Sequence, residues 1–275
     1  MVKIHTKYIK QIEYQNKKIY TMNNFDNEKL DEKSEFPIGS ITKLFTMVSL
    51  LILHQNKLVN IHDNIGKYIV NNHIKNLKII DIINHKSGLK NFWNSASYGG
   101  SKIKYESATE VFNRWNDNKL IDNKSKGKHT YSNIGYQILG VLIETITGEK
   151  YSDFVKKNIL IPLKMHNTGI GDANITLYNH QNKQLTKFEK NERSFASSAG
   201  ELKSCVKDLI KFSKFIKLLT KKSLQILKNI YVYKEGNDEI YVSHSGGITG
   251  GSSILRITYD NKFKLKNIFI SLKTG

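Results

Sequence analysis

The chain has 275 residues, with 43 Lys or Arg against 24 Asp or Glu and a formal net charge of +19. Hydrophobic residues at 39% and a large aromatic set exclude an intrinsically disordered protein. The lysines are spread over the whole length and mixed with Asn and Ile, so we interpret the charge as a solvated basic surface and expect no nucleic-acid partner. A basic nucleic-acid binder is kept as an alternative. The single cysteine, Cys205, excludes an internal disulfide.

The predicted elements begin with two strands, at residues 8–14 and 18–22, around a short turn. A helix is expected at residues 40–55, and the strongest helix pattern covers residues 133–147, with Gly148 as its stop signal. Further helical or turn segments are predicted at 63–68, 78–84, 151–159 and 207–219. The last part of the chain is predicted as strand at 240–244, 252–259 and 266–272, with turns at Gly246-Gly247 and Asp260-Asn261.

Strands therefore lie at both ends of the chain and helices lie between them. This order favours an α+β fold over a repeating βαβ plan. We expect one domain over residues 1–275, with an antiparallel sheet built from about 8–22 and 240–272. A helical lobe, about 40–220, is inserted between these two parts.

Ser40-Ile41-Thr42-Lys43 places a hydroxyl and an amine three residues apart at a predicted helix start. A serine needs a nearby base to act as a nucleophile, and residues three apart share one helix face. The lysine can be that base only when neutral, so its pKa must fall well below about 10.4. The pattern alone is weak in a Lys-rich chain, and it recurs at Ser87, Ser101, Ser125 and Ser204. The apolar helix that follows distinguishes Ser40.

Two further patterns carry chemistry. Tyr131-Ser132-Asn133 precedes the long helix and places a phenol, which can move protons, beside an amide, which can hold a substrate carbonyl. His244-Ser245-Gly246-Gly247 follows a predicted strand, and its glycines allow close approach of a substrate to backbone N–H groups.

Together these three motifs resemble those of the serine β-lactamase and penicillin-binding protein superfamily, in its class C β-lactamase, DD-peptidase and esterase-like branch. The resemblance runs in order over roughly residues 8–275. Besides the motifs, it includes residues 36–47, 80–89, 131–148, 161–165, 199–202 and 244–251.

The resemblance implies a β-lactamase/transpeptidase-like fold and a serine hydrolase that cleaves an ester or amide through an acyl-enzyme on Ser40. Lys43 and Tyr131 would share the proton transfers, and Asn133 would orient the substrate. The backbone N–H groups of Ser40 and Gly247 would form the oxyanion hole, while His244 and Gly246 belong to the substrate-binding third motif. A small-molecule or peptide substrate is expected, with no cofactor and no metal.

The chain departs from the family pattern in two places. His244 stands where many relatives carry lysine, which favours esterase-like or peptidase-like chemistry over β-lactam hydrolysis. The chain also ends after its last strand, where relatives usually continue into a covering helix. We therefore expect an uncovered apolar sheet face and possible self-association through it. The alternative is a catalytically weak relative that binds acyl or peptide ligands.

The first residues lack the apolar core of a secretory signal, and the longest apolar run, residues 44–53, is too short to cross a bilayer. No membrane span and a cytoplasmic or otherwise intracellular protein are therefore expected.

Overall fold

The computed structural model describes residues 9–24, 26–91, 107–113, 120–178, 183–185, 194, 196–236 and 239–274. Both ends of this chain contribute to one antiparallel sheet of six strands, in the order β2-β1-β8-β7-β6-β5. These strands are β1 Lys10–Gln15, β2 Lys18–Asn23, β5 Tyr233–Gly236, β6 Glu239–Ile248, β7 Gly251–Asp260 and β8 Leu265–Thr274. A separate two-stranded pair joins β3 Phe36–Pro37 to β4 Lys203–Ser204. The predicted α+β fold, with a sheet built from both termini, is confirmed.

The helices lie between these strands in sequence. They are α1 Thr42–Gln55, α2 Ile79–Ile83, α3 Ala108–Asn113, α4 Asn133–Thr147, α5 Tyr151–Val155, α6 Ser197–Gly200, α7 Val206–Phe212 and α8 Lys221–Leu227. A 3₁₀ turn, Gly39–Ile41, leads directly into α1. A π-helical turn, Lys156–Leu160, extends α5.

Helices α1 and α4 form the centre of the lobe, and most residues of both are buried. The bounds of α4 are those predicted, because its ends are set by local chemistry. The Ser132 hydroxyl accepts a hydrogen bond from the N–H of Gly135, and Gly148 adopts a left-handed conformation with φ 69°.

The sheet buries one face against the helical lobe. Ile12, Leu255, Ile257, Ile270 and Leu272 are fully buried there. Their spacing of two along each strand follows from the alternation of side chains across a sheet.

The opposite side, which we call the outer sheet face, mixes apolar and polar side chains. Tyr20 pairs with Glu13, Glu13 pairs with Ser271, and Ser271 pairs with Ile254. These four residues therefore form one row across the sheet. Tyr20, Met22 and Ile254 are 55%, 54% and 41% exposed. Self-association through this face stays a prediction.

The structure corrects the predicted turn at Gly246-Gly247. Both glycines lie inside β6, which continues to Ile248, and the chain turns at Thr249 and Gly250. A glycine pair marks a turn or a place where backbones approach closely, and here the second reason holds, as the site geometry shows. Strands β3, β4 and β5 and helices α3, α6 and α8 were not predicted.

Candidate active site

Ser40 lies in the 3₁₀ turn before α1, and its side chain is only partly buried. The turn is held from both sides. The N–H of Ile38 donates to the carbonyl of Leu202 at 2.9 Å, and the Ser253 hydroxyl donates to the Ile38 carbonyl at 2.7 Å. The hydroxyl of Ser40 therefore sits at a fixed point between the lobe and the sheet.

The Lys43 amine lies directly behind this serine, in a side chain that is fully buried. Its Nζ is 2.9 Å from Ser40 Oγ, 2.7 Å from Asn133 Oδ1 and 2.7 Å from the Ala199 carbonyl. None of the ion pairs found within the described ranges involves Lys43. Burial without a carboxylate partner lowers the pKa of Lys43 well below its ordinary value. The neutral amine is thus favoured.

Tyr131 approaches the same hydroxyl from the other side, and its OH donates to Ser40 Oγ at 2.7 Å. Burial is the main influence on this phenol and raises its pKa. A hydroxyl that accepts from Tyr131 still has its own proton to donate, and the neutral Lys43 amine can accept it. The three groups form a hydrogen-bond chain in the order Tyr131, Ser40, Lys43.

Asn133, the first residue of α4, links the lysine to the lobe. Its Oδ1 accepts from Lys43, and its Nδ2 donates to Asn91 Oδ1 at 3.2 Å. The structure therefore brings Asn133 to Lys43, and its predicted contact with substrate stays a prediction.

Gly246 and Gly247 run against the Ser40 turn. A Cβ atom added at Gly246 would lie 2.1 Å from the Ile38 carbonyl oxygen and 2.9 Å from the Ser40 nitrogen. A Cβ added at Gly39 would lie 2.7 Å from the Gly247 nitrogen, and Gly39 is also left-handed, with φ 49°. Strand β6 and the turn are therefore in direct backbone contact. The proposed oxyanion donors, Ser40 and Gly247, belong to these two touching segments.

His244 also lies at this end of β6, with its ring centroid 6.4 Å from that of Tyr131. Burial first, and then the charge of Lys43, lower the pKa of His244 to about 4. The third motif thus carries a neutral imidazole near pH 7, where the lysine of many relatives would be charged.

Two residues to which the sequence assigned no role pack around Tyr131 and His244. The hydroxyl of Tyr231 lies 2.7 Å from His244 Nε2, and no motif signals its presence. The His85 ring packs 4.5 Å from Tyr131 and 4.7 Å from Tyr231, measured between centroids. Its Nδ1 accepts from the N–H of Ser132, and burial lowers its pKa to about 2. His85 lies in the segment 80–89 that carries the family resemblance, which is the signal that could have found it.

The other Ser-x-x-Lys matches have different surroundings. Ser204 is fully buried and hydrogen-bonded to Thr168, and Ser87 is 4% exposed. Ser101 lies outside the described residues. Within the parts of the chain that the structure covers, no group of three or more His, Cys, Asp or Glu side chains could hold a metal ion.

A family model described as beta-lactamase matches residues 14–262. The chain belongs to the beta-lactamase family. This membership supports the serine hydrolase activity predicted from its motifs.

Three comparisons place this beta-lactamase family member among its relatives. It is 26% identical over 149 residues to penicillin-binding protein 4* of Bacillus subtilis, covering 53% of this chain and 32% of that protein. It is 30% identical over 138 residues to the teichoic acid D-alanine hydrolase of Staphylococcus aureus, covering 50% and 33%. The D-amino acid amidase of Ochrobactrum anthropi SV3 superimposes with a TM-score of 0.74 at 20% identity, covering 98% of this chain and 89% of that one. The matched region spans about a third of the length of the two curated relatives.

No helix in the described ranges is long and apolar enough to cross a membrane. The intracellular location stays a prediction.

Proposed function

We propose that this beta-lactamase family hydrolase cleaves small D-aminoacyl esters or amides through an acyl-enzyme on Ser40. The observation that carries the proposal is the position of Ser40 Oγ, 2.9 Å from Lys43 Nζ and 2.7 Å from the Tyr131 hydroxyl. A nucleophile between a base and an acid is the arrangement that acyl transfer requires.

In this proposal Lys43 is the base. Burial lowers the pKa of Lys43 and raises that of Tyr131, so the neutral amine and the neutral phenol are the favoured forms. Lys43 takes the Ser40 proton while Oγ bonds to the substrate carbonyl carbon. The carbonyl oxygen becomes an oxyanion and accepts from the N–H groups of Ser40 and Gly247.

Collapse of this intermediate breaks the bond to the leaving group. Tyr131 gives its proton to the departing alcohol or amine, and the protonated Lys43 restores the phenol. Water then attacks the acyl carbon, with its proton passing to Lys43, and the Ser40 hydroxyl is regenerated by the reverse transfers. Protons balance over the two half-reactions, because each group ends as it began.

The substrate class is proposed from the relatives. One is named as a teichoic acid D-alanine hydrolase and another as a D-amino acid amidase, so both names specify D-amino acid groups. A small acyl group joined to an alcohol or amine suits the ester and amide chemistry of the Ser40 site. A β-lactam is a less suitable substrate, because neutral His244 lacks the permanent charge that would hold its carboxylate.

Intact-mass spectrometry after incubation with a fluorophosphonate probe, and separately with benzylpenicillin, tests the nucleophile. We expect a single adduct in the wild type and in Ser87→Ala, a matched change in another Ser-x-x-Lys pattern, and none in Ser40→Ala. Release of 4-nitroaniline from D-alanine and L-alanine 4-nitroanilides tests the substrate class, and the D form should react faster. Labelling that persists in Ser40→Ala contradicts the proposed nucleophile. An adduct without turnover of any ester or amide indicates a weak, ligand-binding relative.

A further inference from the structure

The ring of His244 has both of its nitrogens engaged within the protein. Its Nδ1 lies 2.5 Å from the Ser245 carbonyl oxygen, which can only accept a hydrogen bond. Nδ1 must therefore carry a proton. Nε2 lies 2.7 Å from the Tyr231 hydroxyl, so in the neutral ring Nε2 accepts and Tyr231 donates.

Tyr231 is itself held in place from the helical lobe. Its backbone N–H donates to Asn84 Oδ1 at 2.9 Å, and Asn84 Nδ2 donates to the Asn229 carbonyl at 2.9 Å. Asn84 is 9% exposed and directly follows α2, so this clamp joins the lobe to the turn before β5. The Tyr231 ring also packs against His85. The backbone that carries the Tyr231 phenol is therefore held in place next to His244.

Among the described residues, the Ser245 carbonyl favours a positive charge on His244, whereas the ionisable side chains that face it include no carboxylate. They are the phenols of Tyr131 and Tyr231, the amine of Lys43 and the imidazole of His85. Burial of the ring is the larger cause that lowers the pKa of His244, and a proton on Lys43 would lower it further.

We propose that Tyr231 is a positioning residue that holds His244 as a neutral imidazole with its proton on Nδ1. The third motif then offers the substrate neither a cation nor a free ring N–H. The consequence, which rests on the proposed function, concerns substrate specificity. The enzyme prefers acyl donors whose leaving group is uncharged over those whose leaving group ends in a carboxylate. A lysine at this position would hold such a carboxylate. The neutral His244 ring does not, because both of its nitrogens are already hydrogen-bonded within the protein.

Imidazole ¹⁵N–¹H correlation spectra of ¹⁵N-histidine-labelled protein test the first part, with His244→Ala to assign the signals. We expect the Nδ1–H tautomer in the wild type and no titration of His244 above pH 5. Tyr231→Phe removes only the hydroxyl and should raise the His244 pKa and mix the tautomers. Tyr233→Phe, two residues further along and outside this hydrogen-bond chain, should leave the His244 signals unchanged. A wild-type Nε2–H tautomer, or spectra of Tyr231→Phe identical to the wild type, overturns the proposal.

Kinetics test the specificity. D-alanyl-glycine and D-alanyl-glycinamide differ only in a terminal carboxylate, and the wild type should prefer the amide. In Tyr231→Phe the ratio of kcat/KM for the carboxylate over the amide should rise about 2- to 10-fold, the range expected for one lost neutral hydrogen bond. The ratio should rise most at low pH, where the released imidazole is charged. An unchanged ratio overturns the specificity. If D-alanine 4-nitroanilide is cleaved but neither dipeptide is, the specificity is overturned and the proposed function stands. If none of the three is turned over, the proposed function fails while the spectra still decide the role of Tyr231.

Discussion

Replacing Gly246 with alanine tests the closeness of β6 to the Ser40 turn. The added Cβ would lie 2.1 Å from the Ile38 carbonyl oxygen and 2.6 Å from Ser253 Oγ. A carbon and a carbonyl oxygen normally approach to about 3.3 Å. The shortfall of about 1.2 Å is too large for side-chain adjustment, because Ile38 presents backbone at this point. Strand β6 must therefore move away from the turn.

The displacement separates the two N–H groups proposed for the oxyanion hole. Loss of one oxyanion donor lowers kcat by about 10²- to 10³-fold, and a 1 Å misplacement of reacting groups costs about 10²-fold. We therefore expect Gly246→Ala to lower kcat on a D-aminoacyl ester by about 10²-fold or more. Overpacking should also destabilise the fold by about 1–3 kcal/mol.

The assay is steady-state hydrolysis together with urea denaturation, so that loss of rate is separated from loss of folded protein. Gly236→Ala is the matched control, since a Cβ at that position in β5 meets nothing within 4 Å. A folded Gly246→Ala enzyme with a rate within threefold of the wild type would show that the contact between β6 and the Ser40 turn does not position the oxyanion donors.

Four further predictions concern the site and the sheet. Lys43→Ala and Tyr131→Phe should each slow acylation by about 10²-fold, and their effects should not add because the groups act as a unit; near wild-type rates in either mutant contradict the proton route. In the wild type, kcat/KM should fall as pH drops through the depressed pKa of Lys43, since protonation removes the base; residual activity of Lys43→Ala that falls at the same pH as the wild type contradicts Lys43 as the base. Asn84→Ala loses two hydrogen bonds and should destabilise the fold by about 2 kcal/mol in urea titrations, with Lys86→Ala, an exposed site nearby, as the neutral control. Size-exclusion chromatography with light scattering should detect self-association that Ile254→Glu abolishes, and a wild type that is monomeric at all concentrations contradicts it.

Local sequence chemistry predicted much of the architecture. The bounds of α4 were predicted to the residue, because a serine N-cap and a left-handed glycine define its ends locally. The β1–β2 hairpin was predicted from its turn, where Asn16 and Lys17 both adopt positive φ, although Tyr8 in the predicted strand lies outside the described residues. Helix α7 ends at Phe212, earlier than predicted, since the apolar pattern continues into a 3₁₀ turn.

The sequence also determined which side chains could do the chemistry. Ser40 and Lys43 meet because residues three apart share a helix face, and the motif order brought Tyr131 and His244 into the same prediction. What it could not determine is the state of these groups. Whether Lys43 is neutral depends on burial and on the absence of a carboxylate partner within the described structure, both of which arise from packing of α1, α4 and α6.

Only the tertiary structure decided the remaining features. Gly246 and Gly247 were predicted as a turn because glycine permits one, yet they lie in a strand packed against the backbone at Ile38 and Ser40, about 200 residues earlier in the chain. Tyr231 carries no motif, and its hydrogen bond to His244 exists because Asn84 fixes the turn before β5. The sequence by itself determined the longest helices, α1 and α4, the β1–β2 hairpin and the reactive residues, because these depend on neighbours along the chain. Protonation states, oxyanion geometry and the neutral third motif depend on contacts between distant segments, which only the folded chain defines.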